Sequence, residues 1–363
     1  FKFLKDLFSH IPFELTKEQL TVIEEILKDL VSPNRMMRLL HGDVGTGKTI
    51  VAIISAIHIV QSDFQVAIMV PSELLAKQHY HLVKKLFSSL PFKIDIITSS
   101  TKDKDLVLER IKNGSSKIII GTQALLQERV IFNNLSYVII DEQHRFGVEQ
   151  RLKIREKGRD VDMLLMSATP IPRTMLLATL GDINISMLKN RPYKSKINTI
   201  IKSEENLEEV VLYLKRLISK KEKIFWICPM IDDDASTNKV TVQSRFKQLN
   251  KYFKKIGILH GKLKSEEKDA SLKQFREGSI DILVSTVVVE VGIDVPDAST
   301  IVIDSADTFG LAQIHQLRGR VGRGKENGKC ILIYRKSLSE QGYQRLIIMK
   351  EYDNGFEIAE KDL

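Results

Sequence analysis

The eight residues Gly42-Asp43-Val44-Gly45-Thr46-Gly47-Lys48-Thr49 constrain this chain more than any other stretch. They fit G-x-x-x-x-G-K-[ST], follow the short apolar run Met36 to Leu40 and lead into the helical pattern of Ile50 to Val60. Strand, glycine-rich turn and helix in that order form the context in which this motif holds phosphate. Glycines let the turn fold tightly, so that successive N–H groups and the positive end of the next helix face phosphate oxygens. The Lys48 ammonium would then reach the outer phosphates and the Thr49 hydroxyl would face magnesium. A chance glycine-rich turn has no reason to carry the matching strand and helix, so nucleotide binding is the expectation.

The rest of the chain repeats this alternation. Apolar, β-branched runs recur at Val66 to Val70, Lys117 to Ile120, Tyr137 to Ile140 and Met163 to Met166, separated by longer amphipathic stretches. The pattern restarts with Lys223 to Ile227, Ile256 to Leu259, Ile280 to Val284, Thr300 to Ile303 and Cys330 to Ile333. Such alternation predicts parallel sheets with crossover helices, and 363 residues are too many for one ordinary core. We expect an α/β protein of two lobes, 1–190 and 201–340, with a hinge at 191–200 where the chain is polar and carries Pro192. Residues 341–363 read as the start of a further segment, and the opening Phe1 suggests a piece of something longer.

Composition narrows the class. With 43% apolar and 28% charged residues the chain is globular rather than disordered. Its formal net charge of +9 favours a polyanionic partner, although many basic proteins bind no nucleic acid. Cys228 and Cys330 lie inside apolar runs, in no metal-ligand spacing, and read as buried reduced thiols. Trp226 reads as core. The acidic stretch Asp232 to Lys239 reads as a solvated loop rather than a metal site. No apolar stretch approaches the roughly 20 residues of a membrane span, so a cytoplasmic protein is expected.

A second acidic site follows the run Tyr137 to Ile140, in Asp141-Glu142-Gln143-His144. Ligands gather at the carboxyl edge of open parallel sheets. An ionised carboxylate there is costly to desolvate unless a cation compensates it, which makes Asp141 the candidate magnesium ligand beside Thr49. Glu142 can orient an attacking water or accept its proton. His144 alone would more often be structural.

With the upstream phosphate loop and the downstream Ser167-Ala168-Thr169, this order of motifs resembles that of superfamily 2 helicases. Asp141-Glu142-Gln143-His144-Arg145-Phe146-Gly147 and Ser167-Ala168-Thr169-Pro170-Ile171-Pro172-Arg173 look like the RecG family. The translocase of the transcription-repair coupling factor is a little less similar, since it usually has Glu-Gln where Gln143-His144 stands. The resemblance runs from Ile11 to the closing Asp353-Asn354-Gly355-Phe356. It implies tandem RecA-like lobes with ATP and magnesium in the cleft between them, Gln19 on the adenine, and Gln143 and His144 near the nucleotide. It also implies Ser167 and Thr169 in coupling hydrolysis to movement, and backbone contacts to DNA from the segment Pro71 to His79 and from Gly121-Thr122. Ser72 stands where that family usually has threonine.

In the second half, Gln313 to Gly324 crowds Arg318, Arg320 and Arg323 between glycines, too irregular for an amphipathic surface helix. A guanidinium from such a turn can stabilise charge on a transferring phosphoryl group. Arg320 and Arg323 are the candidates, Gln316 sits beside them, and a DNA contact by Arg318 remains open. The stretch Ser285 to Pro296 resembles the segment linking DNA and nucleotide in this superfamily, with Thr286 on phosphate and Gly292 and Asp294 near ATP. The family resemblance implies branched or double-stranded DNA as substrate and single-stranded-DNA-binding protein as a further partner. It also implies an N-terminal wedge domain that is not complete here, a monomer, and a place at the nucleoid.

Overall fold

The computed structural model describes residues 11–87, 91–169, 183–192, 196–231, 240–287, 295, 298–322, 327–336 and 338–361. They fall into two compact units, the first ending at Pro192.

In the first unit, seven strands form one parallel sheet: β1 (Met37–Gly42), β2 (Gln65–Met69), β3 (Lys93–Ile97), β4 (Ser116–Gly121), β5 (Leu135–Ile140), β6 (Asp162–Ser167) and β7 (Asn184–Leu188), in the order β3-β4-β2-β5-β6-β1-β7. Helices α1 (Lys17–Leu30), α2 (Lys48–Gln61), α3 (Glu73–Phe87), α4 (Lys104–Lys112) and α5 (Val148–Arg155) accompany it. Central strands such as β2 are buried throughout, as expected of a parallel sheet covered on both faces. α2 is buried along almost its whole length, which is why its sequence is apolar all round rather than striped. α1 opens with a capping box, in which the Thr16 hydroxyl accepts from the Gln19 N–H at 3.2 Å and the Gln19 carboxamide oxygen accepts from the Thr16 N–H at 2.9 Å.

The second unit repeats the plan with six parallel strands: β8 (Ile197–Ser203), β9 (Lys223–Ile227), β10 (Ile256–Leu259), β11 (Ile282–Ser285), β12 (Ala298–Ile303) and β13 (Gly328–Tyr334), in the order β10-β11-β9-β12-β13-β8. Its helices are α6 (Leu207–Ser219), α7 (Val242–Leu249), α8 (Ser265–Glu277), α9 (Leu311–Arg318), α10 (Glu340–Glu351) and α11 (Gly355–Lys361). Trp226 is core, packed with Val210, Leu214, Val284 and Val302, and its indole N–H donates to Asp304 Oδ2 at 2.9 Å. Both cysteines are buried and free. Burial pushes the Cys330 thiol up to about 12 and the Cys228 thiol well above its ordinary value, so both stay protonated at neutral pH.

Two expectations about boundaries change. Ile197–Ser203, partly inside the expected hinge 191–200, is an edge strand paired with β13 along its length; only Ile197 and Thr199 are buried, and polar residues interrupt its apolar ones. The segment 341–363, read as the start of something further, contributes α10 and α11, and both contact α9 of the second unit.

Arg318 is the tie. Its side chain is 1% exposed, Nη1 donates to the Met349 carbonyl at 2.6 Å, and Nη2 donates to the Asp353 carbonyl at 3.2 Å and lies 3.1 Å from His315 Nδ1. A guanidinium so placed cannot also contact DNA, which closes that alternative. Arg318→Leu should lower stability by about 3 kcal/mol, since buried carbonyls lose charge-assisted donors. Urea unfolding measures this; a DNA-binding defect with an unchanged midpoint would restore the DNA-contact reading.

Candidate active site

The turn between β1 and α2 has the geometry the motif demands. Gly45 and Gly47 lie at φ +82° and +85°, left-handed backbone that glycine adopts without steric cost. α2 starts from Gly47 with no side-chain cap, so its first-turn N–H groups, which have no carbonyl inside the helix, are not covered by a capping side chain. Lys48 Nζ curls back onto the loop, donating to the carbonyls of Gly42 at 2.7 Å and Asp43 at 2.9 Å. Gln19 is buried against the same loop, and its carboxamide donates to the Thr46 carbonyl at 2.9 Å. A Cβ on Gly47 would meet that amide nitrogen at 2.2 Å, so any larger residue would displace the Gln19 carboxamide from the loop besides straining φ. Thr46 Oγ1 donates to the Asp43 carbonyl at 2.9 Å, and the Asp43 carboxylate pairs with Arg191 at 3.0 Å.

Asp141 and Glu142 stand just past the carboxyl end of β5, two strands from β1 in the same sheet. Burial works to raise the Asp141 pKa. The hydrogen bond and charge of His79, the Lys48 ammonium and the Glu142 N–H outweigh it and hold the carboxyl below its ordinary value. It is therefore ionised at neutral pH. His79 Nε2 donates to Asp141 Oδ2 at 3.0 Å and Glu142 N–H donates to Oδ1 at 2.9 Å. Glu142 has φ +49°, uncommon for a residue with a side chain, and strain of this kind concentrates at functional sites. His144 Nδ1 lies 3.6 Å from Glu142 Oε2. Burial and Arg145 lower the His144 pKa against the pull of Asp141, leaving the ring neutral near pH 7. Gln143 is buried and accepts from Arg151 at 3.1 Å.

Ser167 ends β6, directly beside β1 in register with His41. Its hydroxyl lies 2.7 Å from that of Thr169, and His41 Nε2 donates to the Thr169 carbonyl at 2.9 Å. The two coupling candidates are thus hydrogen-bonded to each other and to the strand that carries the phosphate loop. The DNA-contact candidates gather at the same edge but over different strands. Pro71-Ser72 follows β2, and Gly121-Thr122 closes β4. Ser72 Oγ accepts from the Leu75 N–H at 3.3 Å and Thr122 Oγ1 from the Ala124 N–H at 3.5 Å. The neighbouring loop after β3 is pinned by Glu73, whose carboxylate accepts from the Ser100 N–H at 3.1 Å and its hydroxyl at 2.9 Å.

The turn after β5 recurs in the second unit. Ile140-Asp141-Glu142, a short 3-10 turn, Phe146-Gly147 and α5 find their counterpart in Ile303-Asp304-Ser305, a 3-10 turn, Phe309-Gly310 and α9. Glu142 and Ser305 share φ +49°. The chemistry differs: Asp304 is neutralised by Arg245, Nε to Oδ2 at 2.6 Å, whereas Asp141 has an imidazole, and Ser305 stands where Glu142 does. The first turn thus carries two adjacent carboxylates, Asp141 and Glu142, and the second an aspartate followed by a serine.

Elsewhere in the second unit, Thr286 follows β11 and is buried, its N–H donating to the Leu259 carbonyl at 3.4 Å. Gln316 is buried in α9, and among the described residues its Nε2 has no hydrogen-bond partner. Arg320 follows α9 and is 8% exposed. Gly292, Asp294, Arg323 and the acidic loop 232–239 lie outside the described residues. Two contributors were missed by sequence reasoning. Arg191 sits in the stretch read as linker. His79 belongs to the segment assigned to DNA, yet it meets Asp141, 62 positions away, which no local spacing signals.

A phosphate loop and a paired acidic turn on one parallel sheet, followed by a second such sheet, define the tandem RecA-like lobes of a helicase. The family described as DEAD/DEAH box helicase matches residues 16–177, and the helicase conserved C-terminal domain matches residues 205–325. The chain is a homologue of the helicase motor portion of RecG. It is 44% identical over 371 residues to the ATP-dependent DNA helicase RecG of Bacillus subtilis, covering 100% of this chain and 53% of that protein. With RecG of Staphylococcus epidermidis it is 43% identical over 366 residues, covering 99% and 53%. The chain thus spans about half the length of the curated relatives it matches. A solved structure of RecG bound to a three-way DNA junction superposes with a TM-score of 0.83 at 39% identity, covering 99% of this chain and 48% of that one. Saccharomyces cerevisiae Dbp5 bound to RNA and ADP BeF3 shares the fold, with a TM-score of 0.68 at 19% identity over 96% of this chain and 98% of that one. No helix among the described residues is long and apolar enough to cross a membrane.

Proposed function

We propose that the chain is the ATP-hydrolysing motor of a translocase that moves on duplex DNA and acts at branches, such as replication forks and Holliday junctions, in recombination and repair. The observation that carries this reading is the placing of the Lys48 loop and the Asp141–Glu142 turn at one edge of one sheet, in a chain homologous to RecG over its full extent.

The residues fit magnesium-bound ATP: an uncapped helix start and Lys48 for phosphates, an ionised buried carboxylate and Thr49 for the cation, and Gln19 beside the loop for the base. Magnesium, when bound, neutralises charge on the phosphates. Glu142 orients a water and takes its proton, while Arg320 and Arg323 of the second lobe add positive charge to the transferring phosphoryl group and so tie lobe closure to hydrolysis. Ser167 and Thr169 relay the nucleotide state, and Pro71, Ser72, Gly121, Thr122 and Thr286 hold the DNA backbone. Gly292, Asp294 and Gln316 line the nucleotide from the second lobe. Backbone contacts position a protein on nucleic acid without reading sequence, which suits a motor. Cytoplasmic, nucleoid-associated work as a monomer, alongside single-stranded-DNA-binding protein, completes the reading. The transcription-repair coupling role is less favoured because Gln143-His144 follows Asp141-Glu142.

Movement is tested by displacement of a labelled third strand from a triplex. Release that needs ATP and is lost in Lys48→Ala is expected. Hydrolysis stimulated by DNA with no release would reduce the chain to a nucleotide-switched DNA scaffold.

A further inference from the structure

We propose that His79 is a positioning residue through which α3 holds the Asp141 carboxylate in place for the nucleotide-bound cation, making the candidate DNA loop and the nucleotide site parts of one rigid lever. The inference deepens the proposed function and rests on it.

Three observations carry it. The contact is close and dry: His79 Nε2 to Asp141 Oδ2 is 3.0 Å, with His79 5% and Asp141 8% exposed. Each carboxylate oxygen is already bonded once, Oδ2 by His79 and Oδ1 by the Glu142 N–H, so the carboxylate cannot swing while each oxygen retains a lone pair for a cation. The helix bearing His79 also serves the other candidate site. α3 begins at Glu73, immediately after Pro71-Ser72, and Glu73 ties down Ser100 of the loop after β3. His79 lies six residues further along the same helix, about 9 Å at a rise of 1.5 Å per residue. A shift of the Ser72 loop on binding a DNA backbone therefore moves the donor that fixes Asp141.

The second unit supplies the contrast. At the equivalent turn the aspartate is held by Arg245, a permanent cation that neutralises the carboxylate. At Asp141 the donor is an imidazole, which holds one carboxylate oxygen through a single ring N–H. Partners behind a metal-ligating group change metal affinity or activity by about 10- to 100-fold when removed.

The test compares His79→Leu, which removes the donor, with His79→Gln, whose carboxamide can donate from a similar depth. Fluorescent ATP-analogue binding is titrated with magnesium, and ATP hydrolysis is measured with and without a three-way DNA junction, with melting temperature followed for each variant. His79→Leu should raise the magnesium needed for half-maximal binding by roughly tenfold or more and shrink the stimulation by DNA, leaving analogue binding in excess chelator unchanged. His79→Gln should recover most of both. A Leu variant with the magnesium dependence and DNA stimulation of the unmodified chain overturns the proposal, as does a folded Gln variant as impaired as the Leu variant. Failure of the unmodified chain to bind nucleotide in a magnesium-dependent way overturns the nucleotide site itself and this proposal with it.

Discussion

Glu142→Gln is expected to lower ATP hydrolysis by about 10²-fold or more while leaving ATP binding within a few-fold of the unmodified chain. The substitution preserves shape at a backbone position that is already unusual, φ +49° at the end of a buried strand, so the fold should be undisturbed. What disappears is a carboxylate that can align a water and accept its proton. Asp141, Lys48 and the loop glycines, to which nucleotide binding is assigned in the proposed function, are untouched. Single-turnover phosphate release beside equilibrium nucleotide binding separates the two effects. Hydrolysis within about threefold of the unmodified rate would remove Glu142 from the chemistry and assign the water to another group.

Arg320→Ala should lower hydrolysis by about 10³-fold, the lower end of what an arginine acting on a transferring phosphoryl group contributes, with little change in stability. The contrast with Arg318 sharpens this prediction. The two arginines are separated by one glycine and look interchangeable in Arg318-Gly319-Arg320. Arg318 is tied to the carbonyls of Met349 and Asp353, so its loss should be read in unfolding, whereas the role proposed for Arg320 should be read in turnover. Steady-state kinetics on both variants decides it. A Arg320→Ala variant that unfolds early but hydrolyses normally once folded would make Arg320 a second structural tie.

The central strands were legible because a strand buried on both faces must be an uninterrupted apolar run, as Tyr137 to Ile140 and Lys223 to Ile227 are. Of the four edge strands, β10, the short apolar run Ile256–Leu259, was legible too, whereas β3, β7 and β8 were not, because each is only partly buried and polar residues interrupt its apolar ones. For that reason Ile197–Ser203 was partly absorbed into the expected hinge. Helices α10 and α11 were unreadable as part of the second unit because what places them, the packing of α10 on β8, of both helices on α9, and of the Arg318 guanidinium on main-chain carbonyls, joins residues that no local pattern links. At the site, the phosphate loop and the acidic turn are contiguous motifs and were read directly. The His79–Asp141 bond and the Asp43–Arg191 pair join residues distant in sequence, and only the folded sheet brings them together. The recurrence of Asp-x, a 3-10 turn and Phe-Gly in both units is visible in the sequence once the structure aligns the two turns, whereas the change of partner on the aspartate, Arg245 for His79, is visible only in the fold.

The measurement that tests the account most directly is steady-state ATP hydrolysis by this chain, alone and with a synthetic three-way DNA junction, beside Lys48→Ala. The account predicts hydrolysis that rises with the junction and disappears in the variant. Absence of hydrolysis by the folded chain with and without DNA, or hydrolysis that survives Lys48→Ala, would contradict it.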